Sequence, residues 1–166
     1  MKEQEKGKKR NGLFYGFFII LLSGIIAVVI MGQNQDKVFI QDSQMFNEAN
    51  NKLKQQKFSE AEAAYNKLLK KHSDSYTLLW RYALALSGQE KYKEANQYFL
   101  KAREIRPFLL KNHQFLAQYG ESLYKSGDYK KAERYLTESK QMSIEAGTVT
   151  SPAVETMLLD AQKKIQ

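Results

Sequence analysis

The sequence has no cysteine, two histidines and two prolines. Without thiols the chain can form no disulfide and carry no lipid-modified cysteine. That suits an extracytoplasmic domain that neither makes nor risks disulfides. His72 stands beside Lys71 and His113 at a helix start. Neither has a cysteine nearby, nor a histidine or acidic partner at metal-ligand spacing. Nucleophile–base signatures, glycine-rich phosphate loops and paired catalytic carboxylates cannot be recognised either. Glu60, Glu94 and Glu133 recur at repeat positions and read as surface helix residues. The expectation is a protein that is not an enzyme, with no catalytic residue, cofactor or metal.

What the sequence does have begins with one apolar run. Leu13 to Met31 carries no charged side chain, and its only clearly polar ones are Tyr15 and Ser23. A bilayer core takes roughly 20 apolar residues as a helix. A buried helix of a soluble domain would show a polar stripe, and this run has none. A cleaved signal peptide would need a shorter run and small residues at the cut. This run instead ends Val28, Val29, Ile30, Met31, Gly32, so an uncleaved anchor is expected over 13–32. Lys2, Lys6, Lys8, Lys9 and Arg10 precede it, and only Lys37 follows closely. Basic residues stay on the cytoplasmic side, which puts the tail 1–12 inside and everything after Gly32 outside. Ser23 and Ala27 form a small-xxx-small pair able to support helix contacts, a pattern also frequent by chance.

The net charge of +8 raises the question of nucleic acid. Five of the 26 basic residues and two of the 18 acidic ones precede Leu13, leaving 21 and 16 spread over the remainder. They are interspersed along helical patterns rather than blocked together. The reading is a solvated helical surface and no nucleic acid, with a mild attraction to anionic lipid or wall polymer as the sharper alternative.

Residues 33–41 are polar and read as a linker. Helical patterning then covers 42–143. Lys57-Phe58-Ser59-Glu60-Ala61 returns as Lys91-Tyr92-Lys93-Glu94-Ala95 after 34 residues, and as Asp128-Tyr129-Lys130-Lys131-Ala132 after 37 more. Leu79, Tyr82, Ala83 and Leu86 share one helical face, and Tyr92, Ala95, Phe99 and Ala102 form the facing stripe before Pro107 closes the unit. The next unit has Leu116, Tyr119, Gly120 and Leu123, a turn at Gly127, then Tyr129, Ala132 and Leu136. The preceding one has Met45, Ala49 and Leu53, then Phe58, Ala61, Tyr65 and Leu68. Ala49, Ala83 and Gly120 on one helix, and Ala61, Ala95 and Ala132 on the other, permit close approach; large side chains there would leave voids.

This pattern resembles the tetratricopeptide repeat family over three consecutive units, about three-fifths of the chain. Glu48 and Lys52 depart from it where the family prefers apolar residues, and Leu53 substitutes one position on. A generic stack of helical hairpins is the alternative. Ser151-Pro152 reads as a helix start, with a capping hydroxyl followed by proline in the first turn. Ala153, Met157, Leu158, Ala161 and Ile165 follow at helical spacing. A repeat stack needs its open end covered, so 144–166 reads as a capping helix; an interaction helix docking on a partner is the alternative. The expected fold is all-α: a transmembrane helix, a tetratricopeptide-like stack of about three hairpins, and this cap.

The resemblance implies that the first helix of each hairpin lines a concave wall that binds an extended peptide or a partner helix. It points to Phe46, Asn50 and Lys54 in the first unit, Thr77, Trp80, Arg81 and Leu84 in the second, and Gln114, Gln118, Glu121 and Tyr124 in the third. Trp80 lies one step off its core face, on a stripe with Thr77 and Leu84, and tryptophan and arginine are enriched at binding hot spots. Packing against a neighbouring helix accounts for Trp80 equally well. One subtype of the family clamps the C-terminal carboxylate of chaperones. Asn50 matches a clamp position, whereas Phe46, Gln114 and Gln118 do not, so chaperone-tail binding is not expected. The function expected is a membrane-tethered adaptor or scaffold in an envelope assembly or export complex. The alternative is a passive structural subunit held by both its membrane helix and its outer domain.

Overall fold

The computed structural model describes the backbone of residues 2–166 and the side chains of residues 16, 17, 19–25 and 37–166. The described residues are helical and contain no strand. In order they form α1 (Lys2–Lys54), α2 (Phe58–Leu69), α3 (Tyr76–Gly88), α4 (Tyr92–Ile105), a 3-10 turn (Pro107–Lys111), α5 (His113–Lys125), α6 (Tyr129–Glu145) and α7 (Pro152–Ile165). The chain divides into two compact units, Met1–Gln44 and Met45–Gln166.

The first unit is helix α1 up to Gln44. Residues 33–41 are helical too, although their composition reads as a linker. Phe17, Ile19, Ile20, Leu21, Leu22 and Ile25 are exposed. The Ser23 hydroxyl donates back to the Ile20 carbonyl at 2.8 Å. Among the described residues no helix is long and apolar enough to cross a membrane. The span expected at 13–32 falls in part on positions 13–15, 18 and 26–32, whose side chains lie outside the described residues. So do those of the tail 1–12, and Ala27 of the small-residue pair.

The second unit holds the repeats. The end of α1 pairs with α2, α3 with α4, and α5 with α6, and α7 lies on α6. The small residues sit where close approach requires them: Ala49, Ala61, Ala83, Ala95 and Ala132 are fully buried. At Gly120 a Cβ would come within 2.8 Å of the Leu136 side chain and 3.3 Å of its backbone nitrogen, so even alanine is tight there. Gly88, which shows no signal in the sequence, is tighter: a Cβ would stand 2.3 Å from the Phe58 ring. The departures at Glu48 and Lys52 are harmless. Glu48 is exposed, and Lys52 reaches Glu60 at 3.1 Å.

Each hairpin turns in the same way. Gln56, Glu90 and Gly127 take the left-handed conformation just past the first helix, at φ 59°, 61° and 87°. The next backbone N–H then bonds back to the helix, Lys57 to Lys52, Lys91 to Leu86 and Asp128 to Leu123, at 2.9–3.0 Å. This closes the orphan carbonyls of the helix end. Only the third turn uses glycine, the residue with no Cβ penalty there. The starts of later helices are capped by side chains: Ser75 accepts from the Leu78 N–H and Asn112 from the Phe115 N–H.

The last helix differs in detail from its sequence pattern. Val154, Leu158 and Ala161 are its buried face, with Met157 half-buried, while Ala153 and Ile165 point outward. Ser151 stands at the N-cap, but its hydroxyl makes no capping bond; Pro152 and the Ser151 carbonyl organise the first turn instead. Lys140 of α6 reaches Glu155 of α7 at 3.2 Å.

Candidate functional site

The first helices of the hairpins, with α7 as a fourth, carry the proposed wall residues. Phe46, Asn50, Thr77, Trp80, Arg81, Leu84, Gln118 and Tyr124 are half-buried, and Lys54, Gln114 and Glu121 are exposed. A half-buried row beside a closed core is what a wall requires: anchored at one edge, open at the other.

Contacts along the row join neighbouring repeats. The Trp80 indole N–H donates to the Gln118 side-chain oxygen at 2.8 Å, linking α3 to α5. The indole stands edge-on to buried Phe115 at 5.4 Å. Trp80 therefore packs against the neighbouring α5, as one of its two sequence readings has it, and stays half-buried. The Arg81 guanidinium lies 5.5 Å from the Trp80 ring centre. Its Nε is buried without a hydrogen-bond partner. A buried donor left unpaired is costly, and more so when it is charged.

In the first repeat, Asn50 accepts a 2.8 Å hydrogen bond from the Tyr65 hydroxyl, and Phe46 meets the Tyr65 ring edge-on at 6.2 Å. Burial pushes the Tyr65 hydroxyl up to about 12, with the nearby Arg81 charge acting the other way. Tyr65 thus stays a neutral donor at ordinary pH. Asn50 is already engaged by it, which sequence spacing could not show. In the third repeat, the Tyr124 hydroxyl donates to Asp160 of α7. Lys164 pairs with the same carboxylate at 2.8 Å and lies 5.2 Å from the Tyr124 ring centre. The Lys164 hydrogen bond, then that of Tyr124, holds Asp160 below the usual carboxylate range. The hydrogen bond to Asp160, then burial, raises Tyr124. Asp160 and Lys164 join α7 to Tyr124 of α5; the sequence reading, which took α7 as a capping helix with an interaction helix as the alternative, did not single them out.

The described residues contain no group of three or more histidine, cysteine, aspartate or glutamate side chains able to hold a metal. What the row offers chemically is an indole face, a half-buried guanidinium, amides and hydroxyls. These recognise peptide groups and carboxylates.

Residues 46–109 match the family model for the tetratricopeptide repeat. Solved structures agree over a wider stretch. The Sgt2 tetratricopeptide domain from Aspergillus fumigatus is 20% identical, with a TM-score of 0.60 over 75% of this chain and 79% of that one. The second unit has the tetratricopeptide fold. The TPR2B domain of yeast Sti1 in its Hsp70 complex is 15% identical, with a TM-score of 0.62 over 75% of this chain and 98% of that one. The Yersinia enterocolitica type III secretion chaperone SycD, bound to a peptide of the translocator YopD, is 16% identical, with a TM-score of 0.59 over 75% and 94%. No curated protein matches the chain in sequence. The family match spans the first two hairpins; the third shares the fold through its geometry.

Proposed function

We propose that this chain is a membrane-tethered adaptor whose wall of first helices takes an extended peptide or a partner helix, in an envelope assembly or export complex. One observation carries the reading. Trp80, Arg81 and Gln118 form a half-buried cluster across two repeats, and the Arg81 Nε within it lacks a partner. A carboxylate or backbone carbonyl of a bound chain would pair with the half-buried guanidinium, and the indole supplies apolar area at little entropy cost. Sti1 and SycD, which share the fold, are seen with Hsp70 and with a YopD peptide respectively. The tether rests on the uncharged run 13–31 and the basic residues before it, which put the tail in the cytoplasm and the repeats outside.

The test pairs capture with stability. Crosslinking in intact membranes followed by identification of the captured protein gives the partner. Trp80→Ala should cut capture by an amount equivalent to about 2 kcal/mol, the usual size for a hot spot. Trp80→Phe keeps a ring against Phe115 but loses the N–H to Gln118, so it separates wall chemistry from packing. If the folded fraction of both variants captures the partner normally, the wall is not the site. If capture then requires residues 13–32 as well as the outer domain, the chain is a passive subunit held by both. Protease added to intact protoplasts should digest the repeats; protection until lysis would reverse the topology.

A further inference from the structure

The two edges of the stack differ in what they expose. At one edge lie the turns within hairpins. At the other lie the connections between hairpins, residues 70–75, 106–112 and 146–151, with the helix ends beside them. These connections form one continuous edge. The Arg106 guanidinium lies 5.7 Å from the Tyr76 ring centre, joining the second connection to the end of the first. Ser143 Oγ is 3.4 Å from His113 Nδ1, joining the third to the second. Asn50 pairs with Tyr65 and Lys52 with Glu60, so Met45 lies towards the end of α2 that leads into the first connection.

Exposed large apolar side chains gather here. Ile105, Phe108, Leu110, Ile144 and Val149 are all exposed, Phe108 by 64% and Val149 by 95%. At the opposite edge Phe58, Tyr92 and Tyr129 are half-buried. Cations surround the apolar tips. Arg106 and Lys111 lie 5.9 and 5.6 Å from the Phe108 ring centre, from opposite ends of the 3-10 turn. Lys70 and Lys71 of the first connection are exposed as well, as are Asp74, Glu104 and Glu145 at the same edge. The opposite edge has cations too, but of the large apolar side chains only Ile165, at the end of α7, is exposed there. An apolar tip flanked by cations suits the boundary between acyl chains and anionic headgroups.

We propose that this edge of the stack rests on an anionic phospholipid surface, with Phe108 inserted and Arg106 and Lys111 on the headgroups. The inference rests on the membrane tether proposed above and goes beyond it, since a tether alone leaves the orientation of the stack free. The absence of cysteine makes the test direct. The full chain carrying Phe108→Cys, or Lys57→Cys at the opposite edge, is labelled with a polarity-sensitive fluorophore. It is reconstituted into phosphatidylcholine vesicles with or without phosphatidylglycerol, some with a headgroup-borne quencher. Resistance to carbonate extraction reports the tether independently.

The expected result is a blue-shifted, lipid-quenched label at position 108 with phosphatidylglycerol present, and an aqueous label at position 57. Adding Arg106→Gln or Lys111→Gln should lower the lipid-contacting fraction by about fivefold per cation. An aqueous label at 108 in a chain that resists extraction overturns the inference and leaves the tether standing. An equal shift with neutral lipid overturns the anionic assignment. A shift without vesicles that grows with protein concentration marks a protein contact and overturns it as well.

Discussion

The turns inside the hairpins and the connections between them are built on different terms. Inside a hairpin, three turns of unrelated sequence adopt one hydrogen-bond pattern with one left-handed residue, whether that residue is Gln56, Glu90 or Gly127. Between hairpins each connection differs: a tight turn capped by Ser75, a 3-10 turn capped by Asn112, and Gly147 followed by Pro152. The contrast shows where packing dictates the backbone. Fully buried alanines bring paired helices so close that only one turn fits, strongly enough to hold glutamine and glutamate where glycine would be easier. The connections are less constrained, and they carry exposed apolar and basic side chains.

The strongest way to break this contrast is to hold the paired helices apart. Ala95→Leu puts three extra carbons into a fully buried position of the central hairpin and should cost about 1–3 kcal/mol. Thermal melting of the purified chain checks it; an unchanged midpoint would contradict this helix pairing.

The contrast can also be sharpened at the turn itself. Glu90→Gly should relieve left-handed strain and stabilise by about 1 kcal/mol, while Gly127→Gln should cost a similar amount. Equal and opposite shifts in denaturant midpoint would show that one backbone geometry serves both turns. No shift in either would mean that the turns relax independently.

The smallest expected effect is electrostatic. Glu62 of α2 accepts from Gln89 at 2.6 Å and Lys91 at 2.9 Å, tying the first hairpin to the turn of the second. Burial raises its carboxyl, but the hydrogen bonds from Lys91 and Gln89 outweigh this and hold it below the usual range. A folded-state value below the unfolded one gives stability that is complete above the unfolded value and lost as pH falls through the folded one. Glu62→Gln should therefore flatten the acid limb of the stability profile below about pH 4.5 and lower stability at neutral pH by the small contribution that limb carries. An acid limb of unaltered slope would remove Glu62 as its source.

The contrast also explains what could be read from sequence. Where packing dictates, spacing sufficed: Tyr82, Ala83, Ala95, Phe99, Tyr119, Gly120, Ala132 and Leu136 are all buried as their periodicity implies. Periodicity says which residues share a face, not what covers them. Asn50 was placed on the wall by its position, and only the structure shows Tyr65 occupying its oxygen. Gly88 went unnoticed because its partner Phe58 is 30 residues earlier, on another helix. On α7, apolar residues occur on adjoining stripes, and packing against α6 selects Val154, Leu158 and Ala161 rather than Ala153 and Ile165.

The aromatic rings of the stack have a further consequence. Tyr82 meets Tyr98, Trp80 meets Phe115, Phe99 meets Phe115 and Tyr119, and Tyr119 meets Tyr135, all with ring centres 4.6–5.8 Å apart. These rings cross every boundary from α3 to α6, so none of the four helices can peel away without uncovering a ring on its neighbour. Amide hydrogens along this segment should exchange through a shared opening, as one cooperative block. Phe46 and Tyr65 pair within the first hairpin. That hairpin is held to the block by Phe58 against Gly88 and by Glu62 on Gln89 and Lys91 rather than by paired rings, so it should open at lower cost than the block behind it.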